Sequence, residues 1–101
     1  MFDLLYLARA EEDLSSIYVL IAEDSPERAF NFIERIQQRC DLLRQFPKQG
    51  RARPELRPNI RILPFGRSVV IAYQIVENTI EIVRIFYGGQ LYETLLGEDT
   101  E

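Results

Sequence analysis

The sequence predicts an α+β domain in which a helix hairpin packs on a small antiparallel sheet. Three observations carry that expectation. Ile60 to Gly89 (IRILPFGRSVVIAYQIVENTIEIVRIFYGG) reads as three short strands folded back on one another, since runs rich in Val, Ile, Tyr and Phe between turn residues are the primary β signal. Residues 9–46 instead show helical spacing, interrupted at Glu23-Asp24-Ser25-Pro26. The strand stretch is also apolar on both faces, so it needs cover on two sides.

Phe2 to Leu7 (FDLLYL) is a short apolar run and reads as an opening strand that joins the later sheet. From Arg9 the period becomes helical. Ala10, Leu14, Ile17, Tyr18 and Ile21 share one face, and Glu11, Glu12 and Asp13 put acids in the first turn, where the helix dipole favours them. That helix starts without a good cap, because Leu7-Ala8 stands where Ser or Asp is expected. Ser25 caps the next helix, Pro26 suits its first position and Glu27 follows in the first turn. Ala29, Phe32 or Ile33, Ile36, Cys40 and Leu43 form its apolar stripe, with Arg35, Arg39 and Arg44 off the stripe and solvated. Phe46-Pro47 ends it, and so short a link between helices makes an antiparallel hairpin. Lys48 to Asn59 is an irregular basic connector. Pro64-Phe65-Gly66-Arg67 and Glu77-Asn78 divide the three strands, with Asn78 suited to a positive φ. Gln90 to Leu96 reads as a short helix ended by Gly97. Residues 1–96 thus make one domain, and 97–101 an acidic tail.

The 47% apolar and 28% charged content is that of an ordinary globule. No run approaches a membrane span, and Met1-Phe2-Asp3 lacks the basic segment that opens a signal peptide, so a cytoplasmic location is expected. The chain has no His and one Cys, which excludes Ser-His, Cys-His and His-metal chemistry; no metal site and no cofactor are expected. Cys40, on the buried stripe, reads as a core residue. The net charge of −4 conceals an asymmetry: 1–47 carries −4, 48–67 carries +5 and 68–101 carries −5. A basic stripe on an acidic protein suits an acidic partner better than nucleic acid at large.

If Glu77-Asn78 is a two-residue turn, Val76 pairs with Thr79. Strict alternation then puts Val69, Ile71, Tyr73, Ile75, Ile80, Ile82, Arg84 and Phe86 on one face. The other face takes Val70, Ala72, Val76, Val83, Ile85 and Tyr87, with Ser68, Gln74 and Glu81. The helix hairpin is expected on the face with Ala72, Val83 and Ile85. The remaining apolar face needs the Leu91–Leu96 segment, a second copy of the chain or a partner peptide over it. Arg84 stands in an apolar row. A buried guanidinium needs a partner, either Glu55, Glu81 or Glu93, or an anion shared with Arg61, Arg67, Arg51 and Arg53.

Several motifs together resemble the ParE branch of the ParE/RelE toxin superfamily. They are Ala10-Glu11-Glu12-Asp13-Leu14-x-x-Ile17, Ser25-Pro26-x-x-Ala29, Phe46-Pro47-x-x-Gly50-Arg51, Glu55-Leu56-Arg57 leading to Ile60-Arg61, Ile71-Ala72-Tyr73, and Ile82-Val83-Arg84-Ile85-x-Tyr87-Gly88. They span residues 3 to 96 in order. The resemblance implies a β-α-α-β-β-β fold and the toxin of a bacterial toxin–antitoxin pair, of the plasmid-stabilisation kind. It implies a cognate ParD-like antitoxin whose C-terminal segment wraps the toxin, DNA gyrase as target, and contact with DNA only through the antitoxin. No membrane partner is expected, and a homodimer within a larger toxin–antitoxin complex is compatible with it. Two departures stand out: Leu7 replaces a capping Ser, and Tyr87-Gly88-Gly89-Gln90 replaces His-Gly-x-Arg.

Three functions follow from these readings: a gyrase-inhibiting toxin, a ribosome-dependent ribonuclease like the RelE branch, or a non-toxic relic that still binds an antitoxin. Ribonuclease chemistry without His would rest on Arg51, Arg53, Arg61, Arg84 and Tyr87. Of these, only Tyr87 can move a proton, and its ordinary pKa near 10 suits that poorly. As a gyrase toxin the chain is not an enzyme. Its expected antitoxin surface is Val69, Ile71, Tyr73, Ile80, Ile82, Arg84 and Phe86. The expected target contacts are Arg51, Arg53, Arg61, Arg67, Tyr87 and Gln90. On that expectation Ile82→Asp would abolish antitoxin binding and leave the fold intact.

Overall fold

The computed structural model describes residues 1–98. The chain runs β1 (Asp3–Tyr6), α1 (Ala8–Ala22), α2 (Pro26–Leu42), β2 (Arg51–Ala52), β3 (Arg61–Phe65), β4 (Val69–Val76), β5 (Thr79–Tyr87) and α3 (Tyr92–Glu98). The expected order β-α-α-β-β-β is present, with a two-residue strand added in the connector and the C-terminal helix after β5. Gly97 does not end α3, which continues to Glu98. The rest of the expected acidic tail lies outside the described residues. Among those residues no helix is long and apolar enough to cross a membrane.

The local signals act as their chemistry requires. Ser25 Oγ accepts the Arg28 N–H at 3.2 Å, and Pro26 opens α2. Leu7 offers no side-chain cap to α1. It donates its N–H to the Ile82 carbonyl and packs its side chain into the cluster on the far side of the sheet. A Ser there would gain a cap and lose that packing. The turn between β4 and β5 has the expected register, Val76 opposite Thr79. The positive φ falls on Glu77, at 55°, rather than on Asn78.

The five strands lie in the order β1-β5-β4-β3-β2. The sheet is mixed rather than antiparallel, because β1 runs parallel to β5, with Leu4 opposite Ile80 and Tyr6 opposite Ile82. Parallel neighbours need a long crossover, which the helix hairpin and the rest of the sheet provide. Phe2 N–H donates to the Arg44 carbonyl and Arg44 Nε to the Phe2 carbonyl, fastening β1 to the end of α2. Pro64 sits on β3 beyond the reach of β2, where a residue without an N–H blunts the open edge.

One irregularity decides the two faces. Tyr73 pairs with Ile82 but Ala72 pairs with Arg84, so Val83 is an extra residue on β5, a β-bulge. Before it, Ile80 and Ile82 share a face with Tyr73 and Ile75. After it, Ile85 and Tyr87 take that face, and Arg84 and Phe86 turn to the other. The helix hairpin covers Val69, Ile71, Tyr73, Ile80, Ile82 and Ile85, with Ala10, Leu14, Ile17, Ile36, Cys40 and Leu43 packed on them. This reverses the expected assignment, which put the hairpin on the Ala72 and Val83 side. The second face holds Ile60, Ile62, Ala72, Val83 and Phe86, and the chain covers it itself with Leu96, Leu95, Tyr92 and Leu56.

Cys40 is buried and free, as expected of a core residue. Burial is the main cause pushing its thiol up to about 11, against smaller lowering effects from Tyr6 and Arg39. Tyr6 is pushed up as well, first by burial. Both groups hold their protons more tightly folded than unfolded. Their contribution to stability is therefore complete below the ordinary thiol range, about 8.5, and declines as pH climbs toward 11. Cys40 is expected to resist a disulfide reagent at pH 8 and to react fully once denaturant unfolds the chain, as thiol titration reads directly. Ile82 is 0% exposed, so Ile82→Asp buries an unpaired charge and should abolish cooperative folding, read by circular dichroism. A folded variant with a normal melting temperature would contradict the hairpin assignment.

Candidate functional site

The residues expected to form an antitoxin surface are divided by the bulge. Val69, Ile71, Tyr73, Ile80 and Ile82 are 0–2% exposed beneath the helices and present no surface. Phe86 is 1% exposed on the opposite face, against Tyr92 at a ring-centroid distance of 6.0 Å. Arg84 is also there, 6% exposed, its guanidinium carbon 4.9 Å from the Phe86 ring centroid.

The partner of Arg84 is Asp13, which is none of the three glutamates expected. Arg84 Nε donates to Asp13 Oδ2 at 2.8 Å and Nη2 to Oδ1 at 3.1 Å, the bidentate geometry that arginine favours. Asp13 Oδ2 also accepts the Ile85 N–H at 2.8 Å. β1 ends opposite Ile82, so the β5 backbone beyond it has no strand neighbour on that side. The carboxylate from α1 supplies the missing acceptor. In the sequence Asp13 looked like one of three acids complementing a helix dipole; nothing local marked it as the one that reaches across to β5.

The basic connector is likewise occupied with its own architecture. Arg53 Nε donates to Glu55 at 2.5 Å and Nη2 to Glu93 at 3.3 Å, with the Tyr92 hydroxyl at 3.5 Å. Arg57 Nη2 donates to the Leu96 carbonyl at 3.2 Å. These two arginines hold α3 down on the second face. Arg61 Nη1 donates to the Gly50 carbonyl at 2.6 Å. The buried Tyr73 hydroxyl donates to the Pro47 carbonyl at 2.6 Å and accepts the Gly50 N–H at 2.8 Å. A Cβ at Gly50 would stand 2.5 Å from Tyr73 Cε1, so only glycine lets the connector close over this ring. The Phe46-Pro47-x-x-Gly50-Arg51 motif is thus the loop that Tyr73 anchors. Arg51 and Arg67 stand exposed, on β2 and in the β3–β4 turn.

Tyr87 lies on the helix side, edge-on to Phe32 at 5.7 Å. Its N–H donates to Gln90 Oε1 at 2.9 Å, across the turn in which Gly88 and Gly89 take φ of 72° and 80°. Gln90 locks this turn locally. The five residues that ribonuclease chemistry would need are not brought together. Arg51 on β2 is three strand spacings, about 14 Å, from Arg84 and Tyr87 on β5, and those two face opposite sides of the sheet. Among the described residues no group of three or more Cys, Asp or Glu side chains could hold a metal ion.

Fold and site define a small α+β domain in which Arg53, Arg57, Arg61 and Arg84 make internal bonds while Arg51 and Arg67 stand exposed. Residues 4–92 match the family model described as the ParE toxin of the type II toxin-antitoxin system, parDE. The chain is 30% identical over 88 residues to Toxin RelE1 of Caulobacter vibrioides, covering 86% of this chain and 94% of that one. It is similar to a chain of the solved chromosomal ParDE TA system from P. aeruginosa, with a TM-score of 0.75 and 28% identity over 86% of this chain and 96% of the other. The chain belongs to the ParE toxin family of type II toxin–antitoxin systems.

Asp13→Ala removes both a buried charge partner and the acceptor for Ile85 N–H. It is expected to cost about 3–5 kcal/mol in chemical denaturation, whereas Glu12→Ala, on the exposed neighbour, should cost under about 0.5 kcal/mol. Equal effects would show that the Arg84 pair contributes nothing particular.

Proposed function

We propose that this chain is a toxin of the ParE branch that disables DNA gyrase by binding it, and that a cognate ParD-like antitoxin holds it inactive. The observation that carries the reading is the dispersal of the RNA-cleaving set. Cleavage needs a proton acceptor, a proton donor and phosphate-stabilising cations around one bond. Here Arg84 is engaged by Asp13, Arg53 by Glu55 and Glu93, and Tyr87 packs beside Phe32 on the other side of the sheet. A toxin that works by occupying a protein surface has no need of convergence. The match to the ParE model supports the same branch. Arg51 and Arg67, both exposed, are the target contacts this reading favours.

Purified toxin added to gyrase and relaxed plasmid should abolish ATP-dependent supercoiling, and an equimolar amount of antitoxin should restore it. Unimpaired supercoiling at saturating toxin, together with codon-specific mRNA cuts after induction, would replace this reading with the ribonuclease one. Arg51→Glu with Arg67→Glu should weaken gyrase inhibition roughly tenfold or more while leaving the melting temperature unchanged.

A further inference from the structure

We propose that the tip of the helix hairpin is a docking surface for the toxin's protein target, and that it takes a patch of that target in which lysine or arginine stands beside aliphatic side chains. This inference rests on the gyrase reading above and adds a second contact to that of Arg51 and Arg67. α1 ends at Ala22 and α2 begins at Pro26, so residues 23–25 turn the hairpin. Around that turn the outer side of the helices is apolar. Tyr18 is 38% exposed, Val19 60%, Leu20 56% and Phe30 58%. Single exposed apolar residues are ordinary, but four at one end of a hairpin make a patch. Tyr18 and Phe30 each stand within about 8 Å of the link along the helix axis.

The fold does not need these side chains for its core. Leu14 and Ile17 are the buried stripe of α1, and Val19 lies roughly half a helical turn round from Ile17, away from the sheet. Ser15, Ser16, Val19, Leu20 and Glu23 line an open depression of about 380 Å³ on that outer side. α1 is therefore apolar on two faces, and the hairpin's packing on the sheet accounts for only one of them.

The charges around the patch decide what fits it. Glu23, Asp24 and Glu27 are exposed at the tip, and Arg28, the cation among them, bonds to Asp24 at 2.9 Å. Asp24 and Glu27 suit the start of α2, where the dipole favours acids. Glu23 instead caps the C-terminal end of α1, where the dipole favours a cation, and that last turn holds no basic residue. A cationic side chain from a partner answers both the carboxylate and the helix end. Apolar anchors ringed by charge are the pattern of a binding hot spot. Nucleic acid and anionic lipid are repelled by the same acids. A two-fold pair of copies would bring two acidic tips into one interface. A basic protein surface meets both the charge and the apolar side chains.

The test titrates fluorescently labelled chain with purified gyrase and follows supercoiling in parallel. Leu20→Gln with Phe30→Gln should bind and inhibit at least roughly tenfold more weakly at an unchanged melting temperature. Glu23→Lys with Glu27→Lys should weaken binding by a similar factor and flatten its salt dependence, while Glu23→Asp with Glu27→Asp retains most of it. If the glutamine and lysine variants inhibit as wild type does, the tip is the wrong surface and the gyrase reading stands. If the wild-type chain neither binds nor inhibits gyrase, the gyrase reading itself fails and the proposal with it. If ultracentrifugation finds a wild-type dimer that the glutamine variant loses while inhibition is unchanged, the tip belongs to a second copy and the proposal is overturned.

Discussion

The contact on which the rest of this structure depends is the one between Asp13 and the bulged segment of β5. An extra residue at Val83 turns Arg84 and Phe86 away from the helices. That turn would leave a guanidinium and a strand edge unsatisfied at the point where β1 has ended. Asp13 answers both, bonding Arg84 through two oxygens and Ile85 N–H through one. The pair also fixes where α1 sits on the sheet. An ion pair this deeply buried is weak evidence for net stability. Its value here is geometric, since it specifies which residues of β5 face which layer.

With that settled, the two layers follow. The helix hairpin takes the larger cluster, and α3 with the connector takes the smaller one. The arginines that made the connector look like a recognition stripe are mostly fasteners. Arg53 and Arg57 hold α3, and Arg61 closes the loop that Tyr73 anchors from beneath. A run of positive charge in a sequence carries no label separating cations that face a partner from cations that bond to nearby carbonyls and carboxylates. Three glutamates stood as partners for Arg84 in the sequence. Two of them, Glu55 and Glu93, are taken by Arg53, and the third, Glu81, accepts from Gln74.

Among the described residues both faces of the sheet are covered, one by the helix hairpin and the other by α3 with the connector. The flank of α2 was the least conspicuous part of the sequence, because charged residues off an apolar stripe look solvated whether or not they border a groove. Arg28 and Arg35 border a cavity walled by Phe32 and Tyr87, and Arg39 borders one lined by Phe65, so strands that follow tens of residues later complete both.

The main elements, their order and the turn register were legible in the sequence, though not the two-residue β2, because apolar period, capping residues and turn residues act over a few neighbours. Ser25-Pro26, the stripe from Ala29 to Leu43 and the pairing of Val76 with Thr79 all express such short-range chemistry. Its ordered motifs also pointed to the ParE family. Which face the helices cover, the pairing of Arg84 with Asp13 and the need for Gly50 beside the Tyr73 ring all depend on contacts between distant segments. A one-residue bulge reverses every side chain beyond it while leaving composition and alternation unchanged. That reversal depends on an acid 71 residues away, and no local pattern encodes a partner at that distance.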